Sequence, residues 1–540
     1  MLKNIQIIAI ILSICICCSA EPEINIKASI AKYNLANEIN KKISKEHFFQ
    51  DQALKNINPR LGKALIKQLD SQKIYFTKDE ILYFTNKFQS SSDDVEISTS
   101  YELINLYFNR LIEATKYQIE VIQKKDFDFS EVENILIDND LQEFHETNLD
   151  LREIWTKLAK NDVLTSMLTD KTQDDAVDLI SKRYKNRLRR ILQRNEEDIF
   201  SIVMNNLTKL FDPHSSYMSP KSAEDFEMTM SLNLEGIGAL LTTEDDYPII
   251  VSVVPGGPAE KSGKINPDDK IVKVKQIKEV EVNPVDVVGW RIDEVVQLIR
   301  GEAGTQLELE IIPAKTEDLS DRKWVVLTRE EVKLEEQAAK FLIVDTPQGE
   351  NNFKIGIIDL PAFYIDFNAW RDRDPDFRSS SKDVENILNQ FKLANVDAVI
   401  VDLRGNSGGS LYEANKLTGL FVSSGPTLQV KESNGDIRPW GDARATQVWK
   451  KPMAVMVDRY SASASEIFAG AIQDYQRGLI IGHKTFGKGT VQQLDDLTSG
   501  QLKLTESKFY RVTGSGMQNR GVEPDIALPS TWDIEESGES

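Results

Sequence analysis

Histidine and cysteine, the residues most often used as catalytic bases, nucleophiles and metal ligands, are scarce in this sequence of 540 residues. There are four histidines and three cysteines, namely His47, His145, His214, His483, Cys15, Cys17 and Cys18. All of the cysteines lie in a short N-terminal segment that has the pattern of an export signal. Once that segment is removed, the chain has no disulfide, no cysteine nucleophile and no thiolate metal site.

Positive charge and long apolar runs are also in short supply. The chain carries 65 basic and 85 acidic residues, and its net charge of -20 repels phosphate backbones and anionic headgroups. We therefore expect no nucleic-acid partner. The apolar run at 5–16 is shorter than the roughly 18 residues of a transmembrane helix, and it predicts a signal peptide at 1–20, cleaved after Ala20. The letters LSIC, ending at Cys15, loosely resemble a lipoprotein box, so a lipid anchor stays open as an alternative.

The composition and periodicity of the sequence change twice along the chain. Residues 21–229 carry apolar residues at helical spacing and predict an N-terminal helical domain. Residues 230–315 contain short β-rich runs separated by Gly and Pro, which indicates a small self-contained module. Residues 316–530 alternate strands with helices, as an α/β core does, and 531–540 have the composition of a frayed tail. The predicted fold class is multidomain α+β.

The stretch "SASASEIFAG" follows a predicted buried strand and begins a helical pattern near Ser463. Ser463 and Glu466 match a capping box, which is a structural explanation of the serine. A nucleophile at this position is also physically sensible, because free N–H groups at a helix start favour developing negative charge. The motif by itself does not decide between these two interpretations.

The stretch "GHKTFGKGT" contains Lys488 between two glycines. It satisfies the spacing of a P-loop, but Gly489 stands where a hydroxyl residue should bind magnesium. Alternatively, Lys488 lies in an apolar site, loses its proton and acts as a general base toward a serine. His214 and His483 lie in polar turns, and we expect surface or hydrogen-bonding roles for them.

Several motifs together resemble the carboxy-terminal processing proteases, over almost the whole chain after the signal segment. They are "FDPHSSYMSP" at 211–220, "EGIGALL" at 235–241, "VDLRGNSGGSLYEA" at 401–414, "YSASASEIFAGAIQDY" at 460–475 and "TFGKGTVQQ" at 485–493. The resemblance implies that Ser463 is the nucleophile, that Lys488 is its base and that Gln492 orients the lysine. Ser461 and Ser465 are then supporting residues, and the α/β core is crotonase-like.

Three further residues are assigned around the nucleophile. Ala464 follows it and Gly408 matches a family position, so the resemblance implies that their N–H groups form the oxyanion hole. The glycines near 408 also suit a tight strand-to-helix turn. Asp474 matches a position that is important for activity, but the helical rise places it about 16 Å from Ser463, so we expect a supporting role.

The β-rich module resembles a PDZ domain, which holds a chain terminus by adding it as a strand. The predicted carboxylate clasp consists of Gly236, Ile237, Gly238 and Ala239. Glycines allow the close backbone approach that such a clasp needs.

The implied function is an exported, periplasmic serine endopeptidase that recognises apolar, unstructured C-terminal tails. It needs no metal or organic cofactor, and only the resemblance suggests an adaptor protein rich in helical repeats. Two alternatives stay open: a catalytically silent PDZ scaffold that binds tails, and an enzyme of acyl-coenzyme A on the crotonase-type core.

Overall fold

The computed structural model describes residues 23–49, 56–91, 95–124, 127–130, 132–136, 141–169, 171–278, 280, 282–316, 318–348, 351–441, 447–529 and 538–539. The predicted signal peptide at 1–20 lies outside the described residues. Two compact units are formed, one by residues up to 38 with 54–210 and the other by 39–53 with 211–540. The boundary falls within helix α1 (Ile30–Glu46).

The first unit is helical, as its apolar periodicity predicts. After α1 it contains α2 (Ile57–Leu69), α3 (Lys78–Gln89), α4 (Ile97–Gln123), α5 (Asn148–Met167), α6 (Gln173–Leu192) and α7 (Glu196–Lys209). Helix α5 begins at a capping box in which Thr147 and Asp150 exchange hydrogen bonds. Helices α4, α5 and α6 share a core of small and branched residues that includes Ile122, Val163 and Ile180. Among the described residues, no helix is long and apolar enough to cross a membrane.

The PDZ module forms an antiparallel sheet within the second unit. Its elements are β2 (Asn233–Gly236), β3 (Ala239–Glu244), β4 (Tyr247–Val253), α9 (Pro258–Ser262), β5 (Lys270–Ile277), β6 (Val285–Asp286), α10 (Ile292–Ile299), β7 (Gln306–Ile312), β8 (Lys323–Thr328) and β9 (Glu330–Lys333). The strand order is β3-β4-β5-β7-β8, with β6 beside β5 and β2 paired with β9. Strand β8 pairs with β7 and continues this sheet beyond the predicted boundary at 315.

The α/β core is built on a six-stranded sheet in the order β10-β11-β12-β15-β16-β19. Its strands are β10 (Lys340–Gln348), β11 (Asn351–Asp359), β12 (Ala398–Asp402), β15 (Met453–Val457), β16 (Leu479–Gly482) and β19 (Ile526–Ala527). Its helices are α11 (Phe367–Arg371), α12 (Ser380–Leu393), α13 (Leu411–Phe421) and α14 (Ala464–Asp474). From β11 onward the strands are parallel, so the loops after β12, β15 and β16 emerge at one edge.

A second sheet of this unit contains β1 (Ser216–Met218), β13 (Leu428–Glu432), β14 (Ile437–Trp440), β17 (Thr490–Asp496) and β18 (Gln501–Tyr510). Strand β1 pairs with β18, and helix α8 (Pro220–Ser231) follows it. The Phe48 N–H also donates to the Thr505 carbonyl of β18 at 2.8 Å. These contacts are the reason why residues 39–49 and 211–229 pack with the second unit, whereas the sequence assigned them to the helical domain.

Candidate active site

Ser463 lies in a tight turn between strand β15 and helix α14. The Asp458 carboxylate accepts hydrogen bonds from the N–H groups of Tyr460 and Ser461 at 2.9 and 3.0 Å, which closes the turn. The Ser463 backbone then adopts φ 53° and ψ −110°, a conformation that L residues rarely adopt. Such a conformation persists only where the surrounding contacts impose it.

The two serines that flank Ser463 fasten this turn to the loop after β12. Ser461 Oγ donates to the Leu403 carbonyl at 2.7 Å, and Ser465 Oγ donates to the Asn406 carbonyl at 2.9 Å. Both serine side chains are buried. Their hydroxyls are thus used for positioning, whereas Ser463 is partly exposed.

Glu466 joins the nucleophile turn to the loop of Lys488. Its side chain is 0% exposed. One carboxylate oxygen, Oε2, accepts the backbone N–H groups of both Ser463 at 2.8 Å and Lys488 at 2.9 Å. The other oxygen accepts Thr485 Oγ1 and the Gly487 N–H, both at 2.6 Å. The Glu466 half of the predicted capping box is therefore present, and the same carboxylate brings the two predicted catalytic residues together.

The environment of Lys488 favours its neutral form. Burial, followed by the charge of nearby Lys503, lowers the pKa of Lys488 to about 8, although Glu539, Asp212 and Glu466 act in the opposite direction. Among the described residues, none accepts a hydrogen bond from its Nζ. The chain runs from Lys488 directly into strand β17, so the helix that a P-loop requires is absent at this point and the P-loop interpretation is wrong.

Gln492 lies on β17, next to a shift in the β17–β18 register between Val491 and Gln492. A bulge of this kind re-aims a side chain. The Gln492 amide nitrogen donates to the Thr490 and Thr505 hydroxyls, at 3.0 Å in each case. The amide of the residue predicted to orient the lysine is thus itself held by two hydroxyl groups.

The N–H groups of the two predicted oxyanion donors, Ala464 and Gly408, differ in whether they already have a hydrogen-bond partner. The Ala464 N–H, at the first position of α14, has no partner among the described residues. Gly408 is pressed against the nucleophile: a Cβ at this position would lie 2.9 Å from Ser463 Cβ and 2.9 Å from the Ala462 carbonyl oxygen. The Gly408 N–H, however, donates to Asn406 Oδ1 at 2.9 Å.

Asn406 is a residue whose role the sequence did not reveal. It is fully buried, and its amide nitrogen donates to the Leu360 carbonyl at 2.7 Å. Its own carbonyl accepts the Ala462 N–H at 3.1 Å. Asn406 therefore connects the glycine loop, strand β11 and the nucleophile turn.

Other predicted residues lie around this centre. Asp474, at the end of α14, forms an ion pair with Arg511. His214 Nε2 lies 2.8 Å from Glu539 Oε1. Glu539 therefore has a hydrogen-bond partner, although the sequence predicts a frayed tail at 531–540. The His483 N–H donates to the Val457 carbonyl at 3.1 Å, in the continuation of β16.

The predicted carboxylate clasp joins two strands of the PDZ module. Gly236 ends β2 and Ala239 begins β3, with Ile237 and Gly238 between them. The Ile237 carbonyl accepts the Ala259 N–H at 2.8 Å, and the Ile237 side chain is buried in the module's core.

Gly238 has φ 67°, which favours glycine. Its carbonyl accepts the Val254 N–H at 2.8 Å. The carbonyls of this loop are thus engaged, whereas the N–H groups of Ile237 and Gly238 donate to no described residue. Two successive N–H groups without a described partner are the kind of donors that an anion can accept from.

Three protein-family models match consecutive parts of the chain. They are the tail specific protease N-terminal domain at 39–221, the PDZ domain at 226–312 and peptidase family S41 at 354–528. The tail-specific protease of Haemophilus influenzae is 37% identical over 512 residues, which cover 92% of this chain and 70% of that protein. The chain belongs to peptidase family S41. It is a serine-type C-terminal processing peptidase.

A second curated relative agrees with this assignment, and one solved structure is reported for comparison. The carboxy-terminal processing protease CtpA of Bacillus subtilis is 30% identical over 359 residues, covering 66% of this chain and 69% of that protein. Among solved structures, the photosystem II D1 C-terminal processing protease is 22% identical and covers 77% of this chain and 93% of that one, with a TM-score of 0.35. Family membership favours the protease over the scaffold and the acyl-coenzyme A enzyme.

Proposed function

We propose that this S41 peptidase is exported and cleaves proteins that end in apolar, unstructured tails, with Ser463 and Lys488 as its catalytic dyad. The observation that carries this proposal is the shared acceptor Glu466 Oε2, which holds the backbone N–H groups of both residues. A base whose pKa is about 8 is well matched to a reaction near neutral pH.

The chemistry follows from these positions. Neutral Lys488 Nζ takes the Ser463 Oγ proton while Oγ attacks the peptide carbonyl carbon. The carbonyl π electrons move to oxygen, and the Ala464 N–H stabilises the resulting oxyanion. When the tetrahedral intermediate collapses, the C–N bond breaks and the lysine ammonium returns the proton to the leaving amine. Lys488 then deprotonates a water that attacks the acyl carbon, the bond between that carbon and Ser463 Oγ breaks, and the lysine ammonium returns the proton to Oγ.

Gly408 serves as the second oxyanion donor in this proposal. Its N–H now donates to Asn406 Oδ1, so the substrate oxyanion has to compete with that amide oxygen. A charged oxyanion is the stronger acceptor, because hydrogen bonds to ionised groups are about twice as strong as neutral ones. The second donor therefore becomes available when negative charge develops.

The PDZ module recognises the free carboxylate through the N–H groups of Ile237 and Gly238. Strand β3 begins immediately after this clasp, and Leu240 on it is 57% exposed. An exposed apolar side chain beside an anion clasp fits a tail with apolar terminal residues. Export follows from the N-terminal signal pattern, and a helical-repeat adaptor remains a prediction from the resemblance.

The test is cleavage of an unfolded reporter with an apolar C-terminal tail, made with a free and with an amidated carboxyl end. We expect the wild type to cleave the free form faster, and Ser463→Ala and Lys488→Ala to be inactive but folded. His483→Ala is the control and should keep its activity. Cleavage by Lys488→Ala, or an inactive but folded His483→Ala, would contradict the dyad.

A further inference from the structure

The motif "FDPHSS" has no part in the dyad chemistry, yet it supplies a buried carboxylate, that of Asp212. This carboxylate accepts five hydrogen bonds: from His47 Nε2 at 2.8 Å, Ser215 Oγ at 2.5 Å, Thr505 Oγ1 at 2.9 Å, the His214 N–H at 2.8 Å and the Ser215 N–H at 3.0 Å. Asp212 is 8% exposed, and the His47 and Thr505 side chains are fully buried.

The protons of this cluster can be placed from its geometry. The Phe49 N–H donates to His47 Nδ1 at 3.0 Å, so Nδ1 is an acceptor and Nε2 carries the proton toward Asp212. Burial alone would raise the pKa of Asp212, but the hydrogen bonds from His47, Ser215 and their neighbours hold it well below its usual range. The carboxylate is therefore ionised and can only accept.

This ionised acceptor dictates the direction of the next bonds. The Thr505 hydroxyl has one proton, which it donates to Asp212, so toward Gln492 it can only accept. Gln492 must then present its NH₂ group to Thr505, as the structure shows. With the nitrogen fixed on that side, Oε1 accepts from no described residue, and in the proposed dyad it is the acceptor offered to the Lys488 ammonium that forms during catalysis.

We infer that Asp212 is a positioning residue that sets the amide orientation of Gln492 through the Thr505 hydroxyl, and thereby aligns the Lys488 base. The inference rests on the proposed dyad function. Without the Thr505 hydroxyl, the remaining described partner of the amide is the Thr490 hydroxyl. That hydroxyl can donate as well as accept, so the glutamine amide can turn its nitrogen toward the lysine, where two donors face each other.

Thr505→Val is the decisive variant, because it removes the hydroxyl, keeps the shape and changes no charge. We expect kcat to fall about 100-fold, as for a misplaced catalytic group, with KM unchanged. Thr505→Ser restores the hydroxyl and should restore kcat. Thr418→Val is the matched control, since Thr418 is also buried and its Oγ1 donates only to the Ala414 carbonyl at 2.7 Å.

The pH profile distinguishes positioning from a general loss of structure. The charged groups that face Lys488 are Lys503, Glu539, Asp212 and Glu466, and Thr505→Val leaves all of them in place. Loss of the Oε1 acceptor destabilises the lysine ammonium, so the acid limb of kcat should move to lower pH. A merely structural role would reduce the active fraction without moving the limb.

Asp212→Ala completes the test in a double-mutant cycle. If Asp212 acts through Thr505, Asp212→Ala with Thr505→Val should lose no more kcat than Thr505→Val alone. Asp269→Ala is its control: Asp269 is 1% exposed and accepts the Asn266 N–H at 2.8 Å, but it lies in the PDZ module. Additive losses of kcat in the double variant would contradict the inference. If Asp212→Ala does not fold, the kcat and pH profile of Thr505→Val still test it.

Measuring Lys488→Ala in parallel distinguishes a failure of the proposed dyad from a failure of the positioning role of Asp212. If Lys488→Ala is inactive while Thr505→Val has the kcat and pH profile of the wild type, the positioning role is wrong and the dyad stands. If Lys488→Ala cleaves the reporter, the dyad is wrong and so is the positioning role that rests on it.

Discussion

The proposed catalytic centre and the proposed carboxylate clasp of the PDZ module differ in how their backbone N–H groups are hydrogen-bonded. In the catalytic centre, the N–H groups of Ser463, Gly487 and Lys488 all donate to Glu466. In the clasp, those of Ile237 and Gly238 donate to no described residue. The contrast applies to the groups that position the proposed dyad, because the Ala464 N–H, the proposed oxyanion donor, also has no described partner. Positioning groups are fixed before substrate arrives, whereas oxyanion and carboxylate donors are satisfied by the ligand itself.

The strongest challenge to this contrast is Glu466→Gln. The amide keeps the size of the carboxylate but has only one acceptor oxygen, so either the Ser463 and Lys488 N–H groups or the Gly487 N–H must face an NH₂ group and lose their acceptor. We expect a loss of about 10²- to 10³-fold in kcat, comparable to the removal of an oxyanion donor. The measurement is steady-state cleavage of the reporter.

Glu413→Gln is the matched control for that variant. Glu413 is equally buried and accepts the Ser381 N–H at 2.7 Å, but it touches neither catalytic loop. Equal losses of kcat in the two variants would show that Glu466 contributes only to packing.

Gly408→Ala tests whether the tight packing around the nucleophile matters. The new Cβ would lie 2.9 Å from Ser463 Cβ, so the serine or the loop must shift. A displacement of that kind should reduce kcat about 100-fold and leave KM unchanged. Gly405→Ala is the control in the same loop, because Gly405 has φ 74° with nothing within 4 Å. A similar loss in Gly405→Ala would assign the effect to backbone strain.

The cleavage rate should depend on pH between 7 and 9, whereas binding of a tail peptide to the PDZ module should not. Lys488 must be neutral to act, and with its pKa at about 8 the rate should rise with pH through that value. One deprotonation gives about a tenfold change per pH unit on the acid side. Burial also raises the pKa of Glu466 to about 7, so its loss of charge should steepen the acid limb below that pH. Binding of a tail peptide to the PDZ module should stay constant from pH 7 to 9, and a parallel fall would contradict the separation of the two sites.

Gly238→Ala should have the opposite pattern to Gly408→Ala, because it should change KM rather than kcat, and its effect should be smaller. An alanine at φ 67° costs about 1–2 kcal/mol and disturbs the clasp, so KM for the free-tail reporter should rise up to about tenfold while kcat is kept. Gly263→Ala carries the same strain at φ 61° in open space elsewhere in the module. If both variants raise KM equally, the clasp has no special role in binding.

The sequence predicted most of the fold because its patterns are local. Helical periodicity identified the first unit, and the strand runs with intervening glycines identified the PDZ module and the α/β core. The boundaries were less accurate because they depend on distant partners. Strand β1 belongs to the second unit because it pairs with β18. No local sequence pattern predicts that pairing.

The same limit applies to the site. The predicted residues Ser463, Lys488 and Gln492 lie in motifs that can be read along the chain. Glu466 was visible only as a helix cap, because its bonds to Thr485, Gly487 and Lys488 form between separate loops. Asn406 stood inside a quoted motif, but its bonds to the Leu360 carbonyl and the Ala462 N–H form between segments that are distant in the sequence. Motifs thus indicate reacting groups better than the groups that hold them.

The left-handed backbone of Ser463 has a consequence for the design of inactive variants. A conformation of this kind costs about 1–3 kcal/mol for a residue with Cβ. Ser463→Ala retains that cost, whereas Ser463→Gly removes it along with the hydroxyl. The glycine variant should therefore unfold at a higher temperature than the active enzyme, so that the peptidase gains heat resistance by giving up its nucleophile.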